Sequence, residues 1–331
     1  MIFKKNEELR FGSNMEILDS IPNGNWLLMY DEVLNEYYLQ SQSSFTLPKK
    51  IYGDEESVVD RYLNTFNSKK GNQGCFFSGQ KGGGKTLISK LLCLKSELPV
   101  ILITQPFVGE VFQNFLSKIE ENCVVFVDEF EKVYHSDELQ QEFLPILDGV
   151  FQGKKLFIFT SNSAEINTYL KSRPGRIRYH KVYNGVSQEI LDEIVEDLLE
   201  DKKFKTDIQN IADILTNVSI DVLINLIQEV NMYKESPKDA IKYLNIQVEN
   251  SKFDVLLFVD GKKYTSKVYY HPMLRKKLWV SYIDDDGRYR DVTIDTEMCL
   301  INTLGTEFTF KDKNSPTKMI FTPTKEFDFN F

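Results

Sequence analysis

The run GQKGGGKT, Gly79 to Thr86, fits the pattern G-x-x-x-x-G-K-[ST]. Residue types at this spacing suit one task, the cradling of phosphates. Gly79, Gly82, Gly83 and Gly84 free the backbone to curl its N–H groups around phosphate oxygens, with Gln80, Lys81 and Leu87 as further contacts. Lys85 can reach the β- and γ-phosphates of a nucleotide, and the Thr86 hydroxyl can ligate Mg²⁺. Three consecutive glycines would be costly at an ordinary helix start. About forty residues later CVVFVDE, Cys123 to Glu129, is an apolar run ending in two acids. Asp128 suits the magnesium shell and Glu129 the polarisation of an attacking water. KLFIFTSN is a further apolar run with a polar end, placing Asn162 for the γ-phosphate or the water beside it.

Such side chains need strands and helices to aim them. From Gly74 to about Arg178 short apolar runs (CFFSG, VILIT, CVVFVDE, KLFIFTSN) alternate with stretches of helical spacing (TLISKLLCLKS, VFQNFLSKIEE, LQQEFLPILDGVF). This alternation predicts an α/β fold, a largely parallel sheet with helices on both faces. Ahead of it, NWLLMYDEVLNEYYLQ reads as a β-hairpin. Beyond Gly185 the pattern is helical, with Ser187 and Ser219 suited to helix starts. From Phe253 it turns to alternating strands around DGK and DDDGR, which predict a small β domain, a barrel or sandwich. The expected boundaries are 1–50 for the hairpin segment, 51–182 for the nucleotide-binding domain, 183–248 for a helical lid and 249–331 for the β domain.

The chain has 331 residues, 42% hydrophobic and 27% charged, enough for several domains with ordinary cores. No apolar run reaches the roughly 20 residues of a membrane helix, and MIFKKNEELR lacks the apolar core of a signal peptide. A cytoplasmic protein with no membrane partner is expected. Four scattered cysteines and three isolated histidines argue against zinc, disulfides and a cysteine nucleophile. The net charge of −9 argues against coating nucleic acid by bulk electrostatics, although a local basic groove stays open.

The order of these motifs resembles the AAA+ family of ATPases, and within it the AAA clade, from about Ile51 to Leu199. Besides the P-loop and VFVDE, the resemblance rests on LPILDG, Leu144 to Gly149, and on SRPGRIR, Ser172 to Arg178. The latter is similar to the segment in which AAA proteins carry arginine fingers. The resemblance implies ATP and Mg²⁺ as ligands, a homo-oligomeric ring, expected to be a hexamer, and Arg173 and Arg176 reaching a neighbour's γ-phosphate. It also implies that Tyr52 and Gly53 cradle the adenine, that the helices after Gly185 form a lid, and that Phe107, Val108 and Gly109 line a central pore that grips a polypeptide. Without the resemblance, Phe107 reads as core filler where a strand hands over to a helix.

Two client classes remain open. Threading or remodelling a protein is the first expectation, and HExxH, a protease signature, is absent from the sequence. The alternative is a motor or loader on nucleic acid, with Arg275, Lys276 and Lys277 beside Trp279 and Tyr282 as a strand-binding face. A slow nucleotide-switched scaffold is a third reading. The ending EFDFNF reads as a last strand of the β domain or a docking tail.

Overall fold

The computed structural model describes residues 2–5, 8–11, 18–149, 151, 153–162, 175–214, 218–244, 252–270, 272, 275, 277–304 and 307–324. The chain divides into two compact units, Met1–Asn184 and Gly185–Phe331.

In the first unit, β1 (Ile2–Lys5) and β2 (Glu8–Phe11) pair as a separate hairpin. The main sheet is built from β3 (Gly24–Asp31), β4 (Glu36–Gln42), β5 (Gln73–Gly79), β6 (Pro99–Leu102), β7 (Cys123–Val127), β8 (Lys155–Ser161) and β9 (Ile177–Tyr183). Its order is β4-β3-β6-β7-β8-β5-β9. Neighbours are parallel except β3 and β4, which form the expected hairpin. That hairpin is continuous with the sheet, because β3 pairs in parallel with β6.

Both faces of the sheet are covered at its centre, so β5, β7 and β8 are buried along their whole length, while the edge strands β4 and β9 alternate. Val124, Phe126, Leu156 and Ile158 face α1 (Glu55–Ser68) and α2 (Lys85–Ser96), meeting Val59, Phe66, Ile88 and Leu92. Val125, Val127, Phe157 and Phe159 face the other way. They join Phe112 of α3 (Gly109–Ser117), Phe130 of α4 (Phe130–Val133) and Phe143 of α5 (Asp137–Leu147). The polar ends of the strands, Ser78, Thr160 and Ser161, are buried at the edge where the P-loop leaves β5.

The second unit begins with helices Gln188–Leu198, Lys205–Ile214 and Ile220–Tyr233. Ser187 and Ser219 accept hydrogen bonds from Ile190 and Val222 N–H, capping the first and third as their positions predict. Then β10 (Phe253–Val259), β11 (Lys262–Val268), β12 (Lys277–Ile283), β13 (Tyr289–Asp295), β14 (Cys299–Leu304), β15 (Glu307–Asp312) and β16 (Lys318–Pro323) make a five-stranded antiparallel sheet, β11-β10-β16-β15-β14, and the hairpin β12-β13. Both contribute to one core, Leu278 and Val280 beside Phe253, Phe310 and Phe321. Asp260 and Gly261 both have positive φ, 49° and 78°, as a tight two-residue hairpin turn requires. EFDFNF lies outside the described residues. No helix among the described residues is long and apolar enough to cross a membrane.

Candidate active site

The P-loop leaves β5 at Gly79 and enters α2 at Lys85, with Gly79, Gly82 and Gly84 all at positive φ. The need for glycine differs by position. A Cβ on Gly79 would lie 2.2 Å from the Tyr183 carbonyl oxygen, and one on Gly83 would lie 3.1 Å from the Tyr183 Cβ. The end of β9 therefore presses on the loop, and Gln80 N–H donates to the Tyr183 carbonyl at 3.2 Å. Gly84 starts α2 without a side-chain cap, leaving first-turn N–H groups for an anion. Lys85 is buried and donates to the carbonyls of Gly79 (2.8 Å) and Gln80 (2.6 Å), two of its three donors. Burial pulls its pKa down, while the carboxylates of Glu131, Asp128 and Glu129 oppose that shift. Lys81 is exposed on the loop, and Leu87 lies in the first turn of α2.

Adjacent strands β7 and β8 bring the acids and Asn162 together. Asp128 Oδ1 accepts from Thr86 Oγ1 at 3.3 Å and from Thr160 Oγ1 at 2.5 Å. The Thr160 hydroxyl in turn accepts from Glu129 N–H at 2.8 Å. Glu129 adopts φ 52°, an uncommon value for a non-glycine residue, at the turn into α4. Its Oε1 accepts from Asn162 Nδ2 at 2.9 Å and its Oε2 from Lys132 Nζ at 2.6 Å. Lys132 first, and Asn162 after it, hold this carboxyl below its ordinary pKa despite desolvation. Sequence reasoning missed three members of this cluster, Thr160, Lys132 and Glu131. Thr160 was signalled only as a polar residue at a strand end, and the two others by the charges of EFEK.

Tyr52 and Gly53 lie just before α1, with Gly53 at φ 78° and the Lys50 ammonium 4.9 Å from the Tyr52 ring centroid. The next turn is tied to β9: Glu55 accepts from Lys181 Nζ at 2.9 Å and from the Tyr183 hydroxyl at 3.0 Å. The segment expected to hold adenine thus enters beside the residue against which the P-loop packs. Burial and the Glu55 charge push the Tyr183 phenol far up, keeping it a donor.

Phe107 and Arg176 both have partners within their own chain. Phe107 is only 9% exposed and belongs to the core under α3 and α5. Its ring meets Tyr37 edge-on at 5.1 Å, and its carbonyl accepts from the buried Tyr134 hydroxyl at 3.0 Å. The β3-β4 hairpin supplies Tyr37 as a cover, so within its own chain the Phe107 side chain fills the core, and lining a pore would require it to leave that packing. Val108 packs against the same cluster, and Gly109 has φ 81° with open space around it. Arg176 is ion-paired within its own chain, its Nε 2.9 Å from Asp148 Oδ1 and its Nη2 2.5 Å from Oδ2. It precedes β9, whose parallel pairing with β5 runs from Gly74 opposite Ile177 to Gly79 opposite Tyr183. Arg176 therefore sits at the far end of the strand pair from its own P-loop, about 20 Å away at roughly 3.3 Å per residue. Arg173 lies outside the described residues, as does Lys276.

The donor set fits the implied ligands. A hydroxyl and a carboxylate 3.3 Å apart are the hard oxygens that Mg²⁺ prefers, and they flank a loop with free amides and a buried ammonium. No curated protein matches the chain. Residues 75–182, from β5 to the end of β9, match the family model described as ATPase family associated with various cellular activities (AAA). With this match over the segment that carries the P-loop, the acidic strand end and Asn162, the chain contains an AAA-family ATPase domain and is an ATP hydrolase.

Proposed function

We propose that the protein is a Mg²⁺-dependent ATPase that works as a homo-oligomeric ring, with a hexamer expected, and uses hydrolysis to remodel a protein client in the cytoplasm. Its motor spans residues 51–182, its lid 183–248, and its client-facing domain 249–331. Within one subunit the P-loop amides and Lys85 bind and orient the β- and γ-phosphates, while Tyr52 and Gly53 hold the base. Thr86 and Asp128 would hold Mg²⁺, which supplies charge neutralisation on the phosphates. Glu129 accepts a proton from the attacking water, and Asn162 holds the carboxylate in register through its 2.9 Å bond. Arg176 and Arg173 serve the neighbouring subunit. The distal position of Arg176 supports action in trans, and an open cleft of about 880 Å³ lies beside it, lined by Lys69, Lys70 and Asp148.

The outer face of β12-β13 favours a protein client over nucleic acid. Trp279, Ile283 and Tyr289 are exposed there. Pairing puts Trp279 opposite Thr293, Ser281 opposite Asp291 and Lys277 opposite Asp295. Lys277 offsets Asp295, so the strip is aromatic with one carboxylate in excess, Asp291, and lacks the net positive charge that a phosphate backbone requires. The single observation carrying the hydrolytic reading is the contact of Glu129 with Asn162 beside Asp128 and Thr86. Its test is Glu129→Gln, which should bind ATP with near-normal affinity and hydrolyse it at least 100-fold more slowly. Steady-state ATPase with an unfolded protein or single-stranded DNA tests the client: stimulation by protein is expected, and stimulation by DNA alone would reverse the assignment.

A further inference from the structure

Glu131 lies two residues beyond the proposed base, in the first turn of α4. Its Oε1 accepts from the backbone N–H of Asn162 at 2.9 Å, while the Asn162 side chain donates to Glu129 at the same distance. Asn162 is thus gripped twice from the β7 side, by its main chain through Glu131 and by its amide through Glu129. The other oxygen of Glu131, Oε2, is buried with no hydrogen-bond partner. An unpaired buried carboxylate oxygen costs stability, so the fold alone does not account for a carboxylate here.

We propose that Glu131 is a positioning residue for ATP hydrolysis: its bond to the Asn162 N–H sets the angle at which Asn162 holds Glu129 against the attacking water. Without that bond the chain after β8 can shift, and Asn162 loses its register with Glu129. Small displacements of this kind cost rate more than binding, because the oriented water matters only during reaction. The proposal rests on Glu129 and Asn162 being the hydrolytic pair.

The experiment compares Glu131→Ala, Glu131→Gln and Glu129→Gln in the full chain, measuring kcat, the KM for ATP, nucleotide affinity and Tm. Ala is expected to lower kcat at least 10-fold, with KM and nucleotide affinity within about threefold of the parent and Tm unchanged or higher. Gln keeps an oxygen for the Asn162 N–H and should restore kcat to within about threefold. Normal kcat in the Ala variant would overturn the proposal. So would an equal loss in Ala and Gln, which would assign the effect to the charge facing Lys85, or a loss in Ala matched by a falling Tm. If Glu129→Gln hydrolyses ATP normally, the underlying site reading fails instead; if Glu129→Gln is inactive and Glu131→Ala is normal, only the role of Glu131 fails.

Discussion

At the scale of single residues the site is a chain of short polar links, each with an expected consequence. Both oxygens of Glu129 are engaged, one by Asn162 and one by Lys132. Lys132 stabilises the ionised carboxylate and so lowers its pKa. In Lys132→Ala the Glu129 pKa should rise towards its ordinary value, and the acid limb of a kcat–pH profile should move to higher pH. Near pH 7, where the carboxylate is ionised with or without Lys132, its protonation should not distinguish the two enzymes. Thr160 joins Asp128 to the Glu129 N–H. Thr160→Val keeps the shape but strands both partners, so kcat should fall by about 10-fold and stability by about 1–3 kcal/mol. Denaturant unfolding beside ATPase assays would check both.

At the scale of elements, the end of β9 acts as the platform on which the P-loop and the start of α1 meet. Tyr183 holds Gln80 through its carbonyl, lies against Gly83 and donates to Glu55. Gly79→Ala should therefore push the loop off this platform, because the new Cβ would collide with the Tyr183 carbonyl and Gly79 has φ 125°. Nucleotide titration should show at least a 10-fold loss of ATP affinity. The loop between β6 and α3 is fastened in a different way, by packing. Phe107→Ala removes a buried ring that touches Tyr37 and Phe112, and should cost about 3–5 kcal/mol of stability. A thermal unfolding curve unchanged from the parent would exclude a core role for the ring.

At the scale of the whole molecule, Arg176 lies at the opposite end of the β5-β9 pair from its own P-loop. A subunit that needs this side chain for hydrolysis must therefore receive it from a neighbour, and the Asp148 pair must open for it to do so. Two variants inactive for different reasons, Arg176→Ala and Glu129→Gln, should regain ATPase activity when mixed, since some interfaces then combine an intact Glu129 with an intact Arg176. A mixture as inactive as its parts would exclude action in trans. If hydrolysis requires a neighbour's arginine, specific activity should also rise with protein concentration.

The sequence by itself determined the phosphate loop, the two strand-end acids and the alternation of strands and helices. These are local signals: the glycines of GQKGGGKT fall between positions 79 and 84, and CVVFV reads as a strand wherever it is placed. The same holds for Ser187 and Ser219, whose caps involve residues three positions away. Only the tertiary structure decided which distant groups meet. Thr160 is 32 residues from Asp128, and Asn162 is 31 from Glu131; the pairing of β7 with β8 joins both. The cover over Phe107 is likewise a long-range matter, since β3 pairs with β6 and its hairpin partner brings Tyr37 over the ring. Burial and hydrogen bonding depend on strand order, and strand order is a long-range choice that local pattern does not encode.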